Sequence, residues 1–165
     1  RLVAAARRDR EAFAELYRRH YDAIGTYLYR RTGDADATRD LLSDVFLAAL
    51  RTVGRFRWRG IGARHWLYRI ATRAANRWAR RRRPAPLPDE VACPRTPPLE
   101  AQEQVTRLLL SLPARFQEVL TLHYLEGLDV AETARVLGVA RGTVKSRLSR
   151  ARDALRARFA EGGGA

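Results

Sequence analysis

Residues 51–83, RTVGRFRWRGIGARHWLYRIATRAANRWARRRR, carry twelve arginines, all three tryptophans of the chain and no carboxylate. Guanidinium groups track phosphates, and exposed rings stack on unpaired bases at about 1–3 kcal/mol per base. Trp66, Arg69, Arg73, Arg77 and Arg80 recur at three- and four-residue intervals, so on a helix they share a face. Phe56 and Trp58 stand in the Gly- and Arg-rich segment before them. Such a stripe suits single-stranded DNA. The plainer alternative is core tryptophans beside a solvated arginine face; it fits Trp78 better, and for Trp66 the two readings balance. For the acid-free run itself nucleic acid is the better reading, because solvated faces usually mix signs.

A second constellation, DVAETARVLGVARGTVKSRLSRAR, begins at Asp129. Ala134 is small where two helices would cross closely, and Gly138 falls where a left-handed turn favours glycine. Leu137, Val139, Val144 and Leu148 would bury the inner face of both helices. The second helix then begins with Arg141, Thr143, Lys145, Ser146, Arg147 and Arg150, in the turns that a helix-turn-helix inserts into the major groove. Arginine there reads guanine edges, and hydroxyls take base or phosphate contacts. An ordinary hairpin with a solvated arginine face is the competing reading, and small residue, glycine and apolar frame together weigh against it. Ala140 stands where a Ser or Thr cap is usual, which costs the helix about 1 kcal/mol.

The third constellation is acidic. Asp34, Asp36, Asp40 and Asp44 face only Arg39 over residues 34–50. DNA would repel this segment, so a protein partner is its natural occupant, with packing inside a bundle as the plain alternative. Catalysis finds no footing: His20, His65 and His123 are scattered, and no P-loop, HExxH or Gly-x-Ser-x-Gly motif is present. No metal-ligand spacing and no cofactor motif occurs, and the lone Cys93 cannot pair within the chain.

Helices are the elements that must carry these groups. Phe13, Leu16, Tyr17, Tyr21, Ile24 and Leu28 keep helical spacing until Thr32-Gly33-Asp34; Leu41, Leu42, Val45, Phe46, Ala49, Leu50 and Val53 do so until Gly54. Leu67, Ile70, Ala71, Ala74 and Trp78 form a third inward stripe. Six of seven prolines lie in Pro84–Pro98, which predicts an extended linker rather than a helix. Beyond it, a helix through Val105–Leu112 breaks at Pro113, a second runs from Phe116 to Gly127, and the two helices of the DNA-reading motif follow. The reading is therefore all-α, with two small helical domains joined by a proline-rich linker: a bundle over 1–83, the linker over 84–98, and a helix-turn-helix domain over 99–161.

Charge follows the same division. The net +14 comes almost entirely from residues 51–83, at +12, while 84–105 is negative. An anionic partner, most simply nucleic acid, follows. No apolar run reaches the roughly 20 residues of a membrane span, and no signal-peptide pattern opens the chain, so membrane insertion is not expected and a cytoplasmic location is. With no Met anywhere, the sequence is expected to begin downstream of its true start.

These residues resemble the extracytoplasmic-function (ECF) sigma factors of bacterial RNA polymerase, which consist of regions 2 and 4. LPARFQEVLTLHYLEGLDVAETARVLGVARGTVKSRLSRARDAL is similar to region 4, with GTVKSRLSRAR its most specific string. DLLSDVFLAAL resembles the polymerase-binding helix, and RHWLYRIATRAANRWARRRR the promoter-melting segment. Departures are Arg39 for an acid, Ser43 for Gln, Arg73 for Asn and Thr133 for an aliphatic.

The resemblance implies a non-catalytic, dissociable subunit of core RNA polymerase that directs promoter recognition, melting and initiation. Asp40, Leu41, Asp44, Phe46 and Leu47 would dock on the β′ clamp helices. Phe56, Trp58, Trp66, Arg69, Arg73, Arg77 and Arg80 would hold the unpaired minus-ten strand. Arg141, Thr143, Lys145, Ser146, Arg147 and Arg150 would read the double-stranded minus-thirty-five element, with that domain on the β flap and the linker in the RNA exit path. An anti-sigma factor is a further implied partner. The alternative is a free-standing helix-turn-helix repressor or activator, which leaves the acidic segment and the arginine stripe unexplained. A third, a basic RNA-binding protein, ill fits Gly138 and its apolar frame.

Overall fold

The computed structural model describes residues 10–55, 62–82 and 97–162. Phe56, Trp58, Cys93 and residues 84–96 of the expected linker lie outside them. Among the described residues there is no strand, and no helix is long and apolar enough to cross a membrane.

Among the described residues, three helices make the first unit: α1 (Arg10–Thr32), α2 (Ala35–Thr52) and α3 (Ala63–Arg81), with a 3₁₀ turn at Val53–Arg55. Gly33 ends α1 with φ near +64°, and Asp34 starts α2 by accepting hydrogen bonds from the Asp36 and Ala37 amides, each 3.0 Å. The core gathers Leu16, Ile24 and Leu28 of α1, Leu42, Val45 and Ala49 of α2, and Leu67, Ala71 and Ala74 of α3. Each fully buried large aliphatic among them contributes roughly 1.5–3 kcal/mol.

The second unit begins earlier than the proline pattern predicts. Its first helix, α4, spans Pro97–Leu110, so Pro97 and Pro98 open a helix instead of closing a linker. The first turn tolerates proline because its N–H groups have no intrahelical acceptor. Helix α5 (Ala114–Leu120) runs into a single π-helical turn at Thr121–Leu125, where one continuous helix was expected. Helix α6 (Val130–Leu137) has a capping box: Asp129 accepts from the Glu132 amide at 2.7 Å, and Glu132 accepts from the Asp129 amide at 2.8 Å. Gly138, with φ near +70°, turns the chain into α7 (Arg141–Gly162). Ala134, Val144, Leu148 and Ala151 pack with Leu109, Leu112, Phe116 and Val119 beneath this pair.

The two units are packed against each other. Leu122, Leu128 and Val136 of the second belong to the core of the first, alongside Tyr68 and Ala75 of α3. Helix α4 also closes on the end of α1, where a side chain at Gly33 would collide with Leu110. Helix α3 is therefore buried on two faces, only one of which its apolar stripe announces.

Candidate nucleic-acid and protein interfaces

The acidic face of α2 is built as expected at its polar positions and differs at its apolar ones. Asp40 and Asp44 are exposed and Leu47 is 49% exposed, whereas Leu41 and Phe46 point into the core. Two aromatics expected to face inward lie at the surface instead. Tyr17 and Tyr21 of α1 are 40% and 38% exposed, and their rings stand 4.6 and 6.2 Å from Phe46. Leu47 and Leu50 are also exposed, on the same helix as the exposed Asp40 and Asp44. The signal was the i,i+4 tyrosine pair, whose hydroxyls favour a rim position over a core one.

On α3 the arginines and the tryptophan separate. Arg73, Arg77 and Arg80 are exposed and Arg69 half-buried, while Trp66 lies in the core at 8% exposure. Its ring offers no open face to a base in this arrangement. Trp78, expected inside, is half-buried under the Arg82 guanidinium, 4.9 Å from its ring centre. Arg82 also pairs with the Asp34 carboxylate at 3.1 Å.

On α7, Arg141, Lys145, Ser146 and Arg150 are exposed and Thr143 is half-buried. Ala140 has no side-chain acceptor for the free amides of the first turn; its carbonyl accepts from the Thr143 and Val144 amides at 3.0 and 3.2 Å, the ordinary opening bonds of the helix. Ser146 donates to the Thr143 carbonyl at 3.0 Å. Arg147 differs from its neighbours: it turns inward, 3.8 Å from Glu118.

Those contacts belong to a polar seam that sequence reasoning missed. Glu126, at the exit of the π-helical turn, accepts from Arg30 at 2.7 Å and from the Tyr68 hydroxyl at 2.5 Å, and its backbone carbonyl accepts from Arg64. Burial, then the Glu126 carboxylate, holds the Tyr68 phenol well above its ordinary pKa, so it stays a donor. His65 Nε2 lies 2.9 Å from Glu132, the same carboxylate that caps α6. Glu118 accepts from Asn76 at 2.6 Å, and Asn76 in turn accepts from Arg31 at 2.8 Å. Three glutamates of the second unit thus grip α1 and α3 of the first. No sequence spacing marks them, since their partners lie about 40 to 100 residues away.

Between these contacts lies a cavity of about 390 Å³ lined by Arg69, Thr72, Arg73 and Asn76 of α3 and by Glu118, Gly138 and Arg147 of the second unit. Side chains from both arginine constellations therefore meet at one place. Among the described residues no group of His, Cys, Asp and Glu is arranged to hold a metal.

Comparisons with known proteins agree along the chain. The family model described as Sigma-70 region 2 matches residues 16–84, and that described as Sigma-70, region 4 matches residues 102–155. The ECF RNA polymerase sigma factor SigM of Mycobacterium tuberculosis is 38% identical, over 93% of this chain and 80% of SigM. SigW of Bacillus subtilis, also an ECF RNA polymerase sigma factor, is 26% identical over 94% of this chain and 93% of its own. Among solved structures, CnrH in complex with the cytosolic domain of CnrY superposes with a TM-score of 0.79 at 26% identity, covering 97% of this chain and 96% of CnrH. The sigma factor RpoE of Bartonella quintana, in complex with the anti-sigma factor NepR, shares the fold with a TM-score of 0.68 at 21% identity, covering 87% of this chain and 94% of RpoE.

Proposed function

This chain belongs to the sigma-70 family as an ECF RNA polymerase sigma factor, and on that premise we propose how its surfaces divide the work. The first unit, residues 1–83, binds core polymerase and the minus-ten strand; the second, 99–161, binds the minus-thirty-five duplex and the β flap; and 84–98 joins them. It acts in the cytoplasm beside the polymerase and catalyses nothing itself.

The observation that carries this reading is the face of α2. Asp40 and Asp44 precede the exposed Leu47 and Leu50 on α2, and the exposed Tyr17 and Tyr21 of α1 pack against Phe46 of the same helix. Such a face, with exposed apolar side chains and carboxylates on a chain of +14, is built for a protein, not for DNA. A free-standing helix-turn-helix regulator would have no use for it. We assign it to the β′ clamp helices, with Leu41 and Phe46 holding the surface from beneath. Arg69, Arg73, Arg77 and Arg80 take minus-ten phosphates, Phe56 and Trp58 are assigned to the same strand from the sequence, and Trp66 stiffens the helix the arginines stand on. Arg141, Thr143, Lys145, Ser146, Arg147 and Arg150 take the major groove of the other element.

The minus-ten and minus-thirty-five elements are separate stretches of one promoter. Arg73 and Arg147 line one cavity here, so promoter binding requires the units to part. The closed arrangement is accordingly a resting state, one that an anti-sigma partner would favour.

Asp40→Arg combined with Asp44→Arg tests the assignment. Affinity for core polymerase should fall at least tenfold in a pull-down, while binding to a minus-thirty-five duplex stays unchanged. Undiminished polymerase affinity would place the docking surface elsewhere.

A further inference from the structure

Elsewhere on the seam each basic side chain has an acceptor at hand: Arg30 the Glu126 carboxylate, Arg64 the Glu126 backbone carbonyl, and His65 Nε2 lies 2.9 Å from the Glu132 carboxylate. The cavity beside it is the exception. Arg69 and Arg73 approach from α3 and Arg147 from α7, with Glu118 as the sole lining carboxylate. Both Glu118 oxygens are already engaged, one by Asn76 at 2.6 Å and the other by Arg147 at 3.8 Å. Arg69 and Arg73 have no acidic partner among the described residues. Arg31 does not line the cavity but bonds Asn76, which does. It is 4% exposed and makes that bond through Nη2, while its Nε and Nη1 find no acceptor among the described residues. Buried unpaired donors cost about 1–3 kcal/mol each, and gathering cations in a partly desolvated cleft costs more unless an anion sits among them. The volume, about 390 Å³, lies within the ordinary range of small-ligand pockets, about 300–1,000 Å³.

We propose that this cavity binds a small phosphate-bearing anion, pyrophosphate or the phosphate end of a nucleotide, that holds the two units closed. Guanidinium forks match phosphate oxygens bidentately, and arginines from both units would share one ligand, so binding and closure are a single event. Closure would withdraw those arginines from promoter DNA. Only that consequence rests on the promoter assignment made above; the anion site itself does not.

The test is titration of the full chain with pyrophosphate, without DNA or polymerase, read by calorimetry and thermal melting. One ion should bind per chain and raise the Tm. Arg69→Ala with Arg147→Ala should weaken binding at least tenfold. The charge-matched pair Arg77→Ala and Arg80→Ala, on the exposed face of α3, should change it less than threefold. The milder Arg147→Gln, with helix content checked by circular dichroism, guards against a loss caused by unfolding. Equal losses in both pairs would mean unspecific neutralisation of a +14 chain, and would overturn the proposal, as would no binding by the unaltered chain. ATP binding tighter than pyrophosphate, with adenosine inert, would identify a nucleotide; equal affinities would identify the inorganic ion. Small-angle scattering supplies the closure arm: the Glu126→Ala variant should contract on adding pyrophosphate, and binding without contraction would remove the clamping role. A mistaken promoter assignment would leave all these readings unchanged.

Discussion

Asp34 joins two helices with a single carboxylate. It accepts the Asp36 and Ala37 amides at the start of α2 and pairs with Arg82 from the end of α3. The Ala37 amide first, then Arg82, hold its pKa below the ordinary 3.8. A carboxyl depressed by folding stabilises the fold where it is ionised, above the ordinary value, and the contribution disappears as pH falls through the depressed one. Asp34→Ala should therefore cost about 1 kcal/mol at pH 7, with the gap in Tm closing on acidification below about pH 4. A gap that persisted at pH 2 would mean the loss is packing and not charge. Thr133 shows the opposite economy. Its side chain is fully buried and its hydroxyl has no partner among the described residues, the softening that an aliphatic-to-Thr departure predicts. Thr133→Val should raise unfolding stability by about 1–2 kcal/mol in urea titrations, with α6 and α7 otherwise unchanged.

The helix-turn-helix is the element most legible in sequence, because its geometry is local. Gly138 adopts the left-handed backbone that its position between two apolar periods demands, and a Cβ there would meet nothing within 4 Å. Gly138→Ala should thus cost about 1–2 kcal/mol through backbone strain alone. Gly142, equally open but within α7, provides the contrast: Gly142→Ala should gain roughly 0.5–1 kcal/mol. Urea unfolding of both variants would separate conformation from space. The Gly33-Asp34 junction was legible for the same reason. Helix α3 was only half legible. Its Leu67 stripe faces its own bundle, but Tyr68, Thr72 and Ala75 are buried too, and no periodicity within one helix reports a second unit packing against it. Tyr17 and Tyr21 show the converse error. Their spacing fitted a core stripe, and only the assembled bundle reveals that the stripe curves out to the surface.

At the scale of the whole molecule, Glu126 organises the closed form. Its carboxylate is buried between Arg30 and Tyr68, and it gained that role from a π-helical turn that sequence periodicity did not anticipate. Truncating one partner of a buried pair typically costs about 3–5 kcal/mol, most of it here falling on the seam. Glu126→Ala should enlarge the radius of gyration and split thermal melting into two transitions, one for each unit. A single transition at unchanged radius would mean that Leu122, Leu128 and Val136 suffice to hold the units together. The shared cavity has a further consequence for how promoter affinity is measured. Drawing Arg69, Arg73 and Arg147 together concentrates positive potential, so closing takes up small anions from the medium, and opening onto DNA returns them along with the counterions shed by the phosphates. Both releases steepen the dependence of binding on ionic strength. The slope for this chain therefore sums a conformational contribution and a contact contribution, and a count of promoter phosphates taken from it alone would come out too high.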